Sequence, residues 1–142
     1  MNSRAFAFWG GIVMLVMGTL ALIPNLSAHP PWLPPLRLDV SYGLFLNIFP
    51  MNIINKLALI AFGLAGILTA NSTRNSILYS RVVFFVMGTA AVLGMFPQTY
   101  TFFGLWPLFG AEVLTHGIFA LLGAYAGFAP QAGLSRARRP AT

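Results

Sequence analysis

Cysteine is absent from the chain, which removes disulfides, thiolate metal centres and cysteine nucleophiles, and leaves the redox compartment unread. Acid is nearly absent too: Asp39 and Glu112 are the only carboxylate side chains. Walker loops, nucleophile elbows, paired-carboxylate and dinucleotide motifs are all missing, so nothing points to an enzyme. Charge of either sign is scarce, at 7% of residues against 58% hydrophobic and a mean hydropathy of +0.80. That is far too little polar surface to cover a soluble globule of 142 residues, and the composition predicts a membrane protein. The net charge of +6 does not indicate nucleic acid. Its basic residues are spread over predicted helix ends, with no basic stripe and no interleaved aromatics. Loop charge and lipid headgroups account for them.

What is present is a series of long apolar runs. Residues 5–23 carry no charge and reach roughly 28 Å as a helix, enough to cross a bilayer. A cleaved signal peptide ending near Leu26-Ser27-Ala28 is the rival reading; the length of the run and the size of Leu26 argue against it. From Pro24 to Ser41, prolines at 30, 31, 34 and 35 predict a stiff, extended external loop lying on the bundle. Within it His29 and Trp32 are either a recognition surface or membrane-level anchors. Residues 57–70 alone, about 21 Å of helix, are too short to cross. The second span is therefore expected over 50–70, with Pro50 in its first turn and Asn52, Asn55 and Lys56 just inside it. Residues 42–49 then become an apolar re-entrant approach packed on protein. A polar link at 71–76 leads to a third span at 77–96, where Arg81 can snorkel. An uncharged aromatic loop with Tyr100, Trp106 and Pro107 precedes a fourth span at 110–128, and residues 129–142 form a flexible basic tail.

With four spans, Arg4, Arg74, Arg81, Arg136, Arg138 and Arg139 fall on one side, against Arg37 and Lys56 on the other. The positive-inside bias places both termini in the cytoplasm. The chain also repeats itself. Val16-Met17-Gly18-Thr19 recurs as Val86-Met87-Gly88-Thr89, and Tyr42-Gly43-Leu44 resembles Phe103-Gly104-Leu105. Phe49, Lys56 and Gly63 match Phe109, His116 and Gly123 in the same order. The fold expected is an all-α, four-transmembrane-helix bundle forming one membrane domain over residues 1–142. It is built from two tandem helical hairpins of the same orientation, 5–70 and 77–128, related by an axis along the membrane normal.

Two approaches to spans carry a further signal. Tyr42, Gly43, Phe49, Pro50 and Asn52 lead into the second span. Phe103, Gly104, Leu105, Pro107, Leu108, Phe109, Gly110, Glu112 and His116 lead into the fourth. Together they resemble the family catalogued as domain of unknown function 4383, small bacterial four-span membrane proteins. The resemblance covers roughly residues 6–128, and the second motif is the more specific. It implies histidines in the second span where this chain has Asn55 and Leu59, which puts a multi-histidine site in doubt. It implies no activity.

Glu112 and His116 are four residues apart and share a helix face, as do Asn52 and Lys56. Turned inward, Asn52, Asn55, Lys56, Glu112, Thr115 and His116 would form a polar cluster near the external mouth. Lys56 is expected to pair with Glu112 across the pseudo-twofold axis, because unpaired charge at membrane depth is costly. Functionally the cluster is a proton or ion path, or His116 an axial ligand for a tetrapyrrole; structurally it is a set of caps and paired groups. One histidine and one carboxylate fall short of a metal site. Small residues Gly11, Gly18, Gly63, Gly66, Gly88, Gly123 and Gly127 are expected to bring helix backbones together, leaving little interior volume.

Three functions fit these features. The first is a non-enzymatic accessory or scaffold subunit in a bacterial inner or photosynthetic membrane, packing against lipid and against other membrane proteins or itself. The second is a cofactor-binding subunit of a photosynthetic or respiratory complex with His116 as ligand. The third is a small oligomeric transporter or channel using Lys56, Glu112 and His116.

Overall fold

A computed structural model describes residues 1–129; the basic tail with Arg136, Arg138 and Arg139 lies outside the described residues. Four helices form the body: α1 (Ser3–Leu20), α2 (Ile53–Thr69), α3 (Thr73–Gly94) and α4 (Ala111–Phe128). Three of them, α1, α3 and α4, are long and apolar enough to cross a membrane. The fourth, α2, has 17 residues and spans about 25 Å.

Local chemistry sets most of these boundaries. Asn2 caps α1 by accepting from the Ala5 amide at 2.8 Å, and the Ser72 side chain caps α3 by accepting from Asn75 N. A side-chain oxygen there satisfies one of the amides that a helix start leaves without a partner. At the same end of the bundle, Arg4 Nε donates to Ala70 O at 2.8 Å and Arg81 Nε donates to Gly127 O at 2.9 Å. Each places a cation on the carbonyl end of a neighbouring helix, where the dipole favours it. Arg81 thus turns to Gly127 and the Phe128 ring, 4.9 Å from its guanidinium carbon.

The start of α2 corrects the sequence reading. Helix does not begin at Pro50. Phe49–Met51 is instead a strand, β3, and the helix starts at Ile53 behind Asn52. Asparagine is a better cap than first-turn residue, and here it forms a reciprocal capping box with Asn55, which satisfies two amides at once. The re-entrant approach expected at 42–49 is likewise a hairpin. Strand β2 (Gly43–Phe45) pairs antiparallel with β3 and with β1 (Ser27–Ala28), giving a small sheet in the order β1-β2-β3. Leu46 and Asn47 turn the hairpin in the left-handed region, with φ of 51° and 60°. Much of the proline-rich segment packs back through this sheet: Leu33, Tyr42 and Leu44 are buried together.

Helices α1 and α2 share one extensive interface, α3 and α4 the other, and α1 meets α3 more lightly. Two glycines show how close the backbones come. A Cβ on Gly63 would lie 2.5 Å from Leu15 N and 2.8 Å from Gly11 O, and one on Gly123 would lie 2.8 Å from Ser80 O. These distances admit no side chain, so glycine is required there. Gly11, Gly18, Gly66 and Gly127 are crowded in the same way, and so is Gly94, against the Leu108 carbonyl, which sequence reading passed over. Gly88 differs: the nearest atom to a Cβ there is Ala120 Cβ at 3.7 Å, so it is not a close crossing. Gly11 and Leu15 meet Gly63 as Ser80 and Phe84 meet Gly123. By that packing register the place of Gly18 falls on Met87, one residue, or about 100° of helix, from Gly88. The central core of Phe6, Met14, Tyr79, Val83, Met87 and Ala120 joins α1, α3 and α4, and Leu59 and Phe62 of α2 pack against it. Tyr79 ties in α2 by donating to Phe62 O at 3.0 Å.

Candidate functional site

The polar residues gather where α2 and α4 begin, beneath the loop at 97–110, but they form two groups rather than one. The first belongs to α2. Asn52, fully buried, accepts from Ile54 N at 3.1 Å through Oδ1 while its Nδ2 donates to Leu38 O at 3.0 Å and Leu105 O at 2.7 Å. One side chain therefore caps the helix and clamps together the loops that carry Leu38 and Leu105. Asn55 donates to Pro107 O at 3.2 Å and accepts from Asn52 N at 3.1 Å. Beside this clamp Arg37 N donates to Gly104 O at 2.8 Å.

Lys56 does not pair with Glu112, contrary to the expectation from sequence. Its ammonium donates to Ser41 O at 2.7 Å and to Ser41 Oγ at 2.8 Å, and no ion pair joins it to a carboxylate among the described residues. The turn before β2 holds Ser41 at φ 55°, which presents its carbonyl and hydroxyl to the same cation. Two neutral oxygens thus do the work assigned to the acid. A buried lysine with oxygen acceptors avoids the penalty of an unpaired charge without burying a second ion.

The second group belongs to α4. Gly110 precedes the helix with φ 66° and offers no side-chain cap, and Glu112 is the acidic residue in the first turn, where the helix dipole favours an acceptor. His116 lies one turn on, its Nε2 3.4 Å from Glu112 Oε2. Both side chains are buried. Thr115 does not join them: its hydroxyl donates back to Ala111 O at 3.0 Å. A cavity of about 30 Å³ opens beside the pair, lined also by Asn55, Leu59, Met87 and Trp106. Trp106 is the residue that sequence reading left in the aromatic loop. Its indole marks the wall between this cavity and an outward-facing apolar groove of about 330 Å³ lined by Phe85, Thr89, Leu93 and Leu108 among others.

This geometry tests the cofactor alternatives. A tetrapyrrole does not fit: the space at His116 has the volume of a water molecule or two, against the far larger volume of a macrocycle. Asn55 and Leu59, where the family resemblance implies histidines, do line the cavity with Glu112 and His116. One is an amide committed to Pro107 and the other is hydrocarbon, and among the described residues no group of three metal-ligating side chains forms.

In the proline-rich segment His29 Nδ1 lies 3.2 Å from Tyr42 O and its ring meets the Tyr42 ring edge-on, so it supports the loop. Trp32 is 67% exposed, free to sit at a membrane surface. Tyr42 donates to Pro34 O at 2.9 Å. Burial, with nearby Tyr100 adding to it, pushes the Tyr42 phenol up to about 12.

Compared with known proteins, residues 4–129 match the model of a family described as a domain of unknown function, DUF4383. No curated protein and no solved structure matches the chain.

Proposed function

The chain belongs to the DUF4383 family, and on that premise we propose that it is an integral membrane protein acting as a non-enzymatic accessory or scaffold subunit, packing against other membrane proteins or further copies of itself. The observation that carries the reading is the contrast between its inside and its outside. Where its ionisable groups meet there is room for about 30 Å³, too little to pass a solute. Its outer faces are apolar on every helix: Trp9 and Val16 on α1, Leu57 and Leu68 on α2, Leu78 and Phe85 on α3, Leu114 and Leu121 on α4 are all exposed. Such faces meet lipid or other helices.

In this reading the helices cross as two tandem hairpins facing the same way. Support comes from the matched crossings at Gly63 and Gly123, and from contacts that run Gly11 to Gly63 and Gly18 to Lys56 along the first pair. The arginine-rich ends lie in the cytoplasm of a bacterial inner or photosynthetic membrane, by charge bias. The test is gentle solubilisation of the full chain from its native membrane, followed by identification of what accompanies it. A companion or second copy in fixed stoichiometry, lost when Thr89→Trp fills the groove on α3, supports the proposal. A chain that elutes alone from every lipid-preserving preparation refutes it.

A second reading, proton transfer, has the buried contact between Glu112 and His116 in its favour. Proton flux into liposomes that disappears in Glu112→Gln would carry it.

A further inference from the structure

Three buried polar atoms around one cavity have no hydrogen-bond partner: Trp106 Nε1, Glu112 Oε1 and His116 Nδ1. Glu112 and His116 are 3% and 7% exposed, so bulk water does not serve them. Buried polar atoms are almost always partnered, and three exceptions at one place call for a common cause. Asn55, the remaining polar residue on the wall, is already committed to Pro107 and to Asn52 N. The rest of the lining is hydrocarbon and the Met87 thioether.

The hydrogen-bonding character of the three atoms selects the ligand. The indole N–H can only donate, and Glu112 Oε1 accepts, whether as a carboxylate oxygen or as the carbonyl oxygen of the neutral acid. With the His116 proton on Nε2, facing Glu112 Oε2 at 3.4 Å, Nδ1 accepts as well. One donor and two acceptors are complemented by a molecule that accepts once and donates twice, which is water. A metal ion or ammonium would face the indole N–H head-on and find only two ligands; an anion would face Glu112. Size agrees: about 30 Å³ is above the roughly 10–15 Å³ that a water needs. We infer that this cavity is a water-binding site, holding one molecule with room for a second at most, hydrogen-bonded to Trp106, Glu112 and His116. The site is independent of which partners the outer faces bind.

The test uses the full chain in lipid bilayers with its indole nitrogens labelled by ¹⁵N. There are three tryptophans, and Trp106→Phe assigns the signal. Magnetisation transferred from water should reach the Trp106 indole although its nitrogen is shielded from solvent. The transfer should be lost in Ala58→Leu, whose added carbons occupy the cavity, or in Leu59→Phe should Ala58→Leu not fold. No transfer at Trp106 in the unaltered chain overturns the inference. So does transfer undiminished in a folded cavity-filling variant, or one metal ion per chain in the same preparation.

Discussion

Replacing Asn52 by alanine removes two functions at once, and the structure separates them. The Oδ1 cap on Ile54 and Asn55 is worth about 1 kcal/mol. The Nδ2 donations to Leu38 O and Leu105 O are worth about 1 kcal/mol each. Asn52→Ala should therefore cost about 3 kcal/mol, a large share of the roughly 5–15 kcal/mol that holds a small domain together. Asn52→Ser keeps a capping oxygen and loses both donations, so it should cost about 2 kcal/mol. Asn52→Asp keeps the cap but turns a carboxylate toward two carbonyl oxygens, and should be the worst of the three. Unfolding by titration with a denaturing detergent in mixed micelles, followed by helix signal, gives these differences. Because the protein has no cysteine among the described residues or beyond, probes at Leu36→Cys and Phe103→Cys report whether the two loops part in the variants. A cost for Asn52→Ala under about 1 kcal/mol, with the loops still together, would refute the clamp.

Other consequences follow from the same geometry. Gly63→Ala forces a methyl against the backbone of Leu15 and Gly11 and should destabilise by about 1–3 kcal/mol, whereas Gly88→Ala should be tolerated within about 0.5 kcal/mol in the same titration. Lys56→Met should cost about 1–3 kcal/mol by leaving the Ser41 carbonyl without its donor, and Glu112→Gln should leave Lys56 untouched, so the two variants should be additive in stability. Folded Tyr42 keeps its proton to about 12, while an unfolded tyrosine releases it near about 10. The folded state then binds more protons, so stability should fall as pH rises from about 10 to 12, an effect that should be smaller in Tyr42→Phe. Single cysteines at Asn2 and Asn71 should be labelled by an impermeant reagent from one compartment and one at Thr101 from the other; labelling of all three from the same side would rule out the paired-hairpin topology.

How much was legible from residues alone depends on how local each cause is. The helices α1, α3 and α4, long and apolar enough to cross a membrane, follow from long apolar runs in the sequence. The glycine crossings were visible as small residues at helical spacing. Their register was not: the Val-Met-Gly-Thr match pairs Gly18 with Gly88, while the backbones meet in a register one residue away. Strands of two or three residues, such as Ser27–Ala28, have no periodicity to read and exist only because distant segments pair. Trp106 joined the site without any spacing signal, because a loop that folds over α3 carries it there.

Composition and hydropathy by themselves determined where the helices long and apolar enough to cross a membrane run, because that depends on residues adjacent in the chain. Only the tertiary structure decided the partners of its few polar groups: Ser41 for Lys56, two loop carbonyls for Asn52, and a small shared cavity for Glu112, His116 and Trp106. The physical reason is that a buried polar group takes whichever oxygen or nitrogen the fold brings within about 3 Å, and that proximity is made by turns and loops far away in sequence.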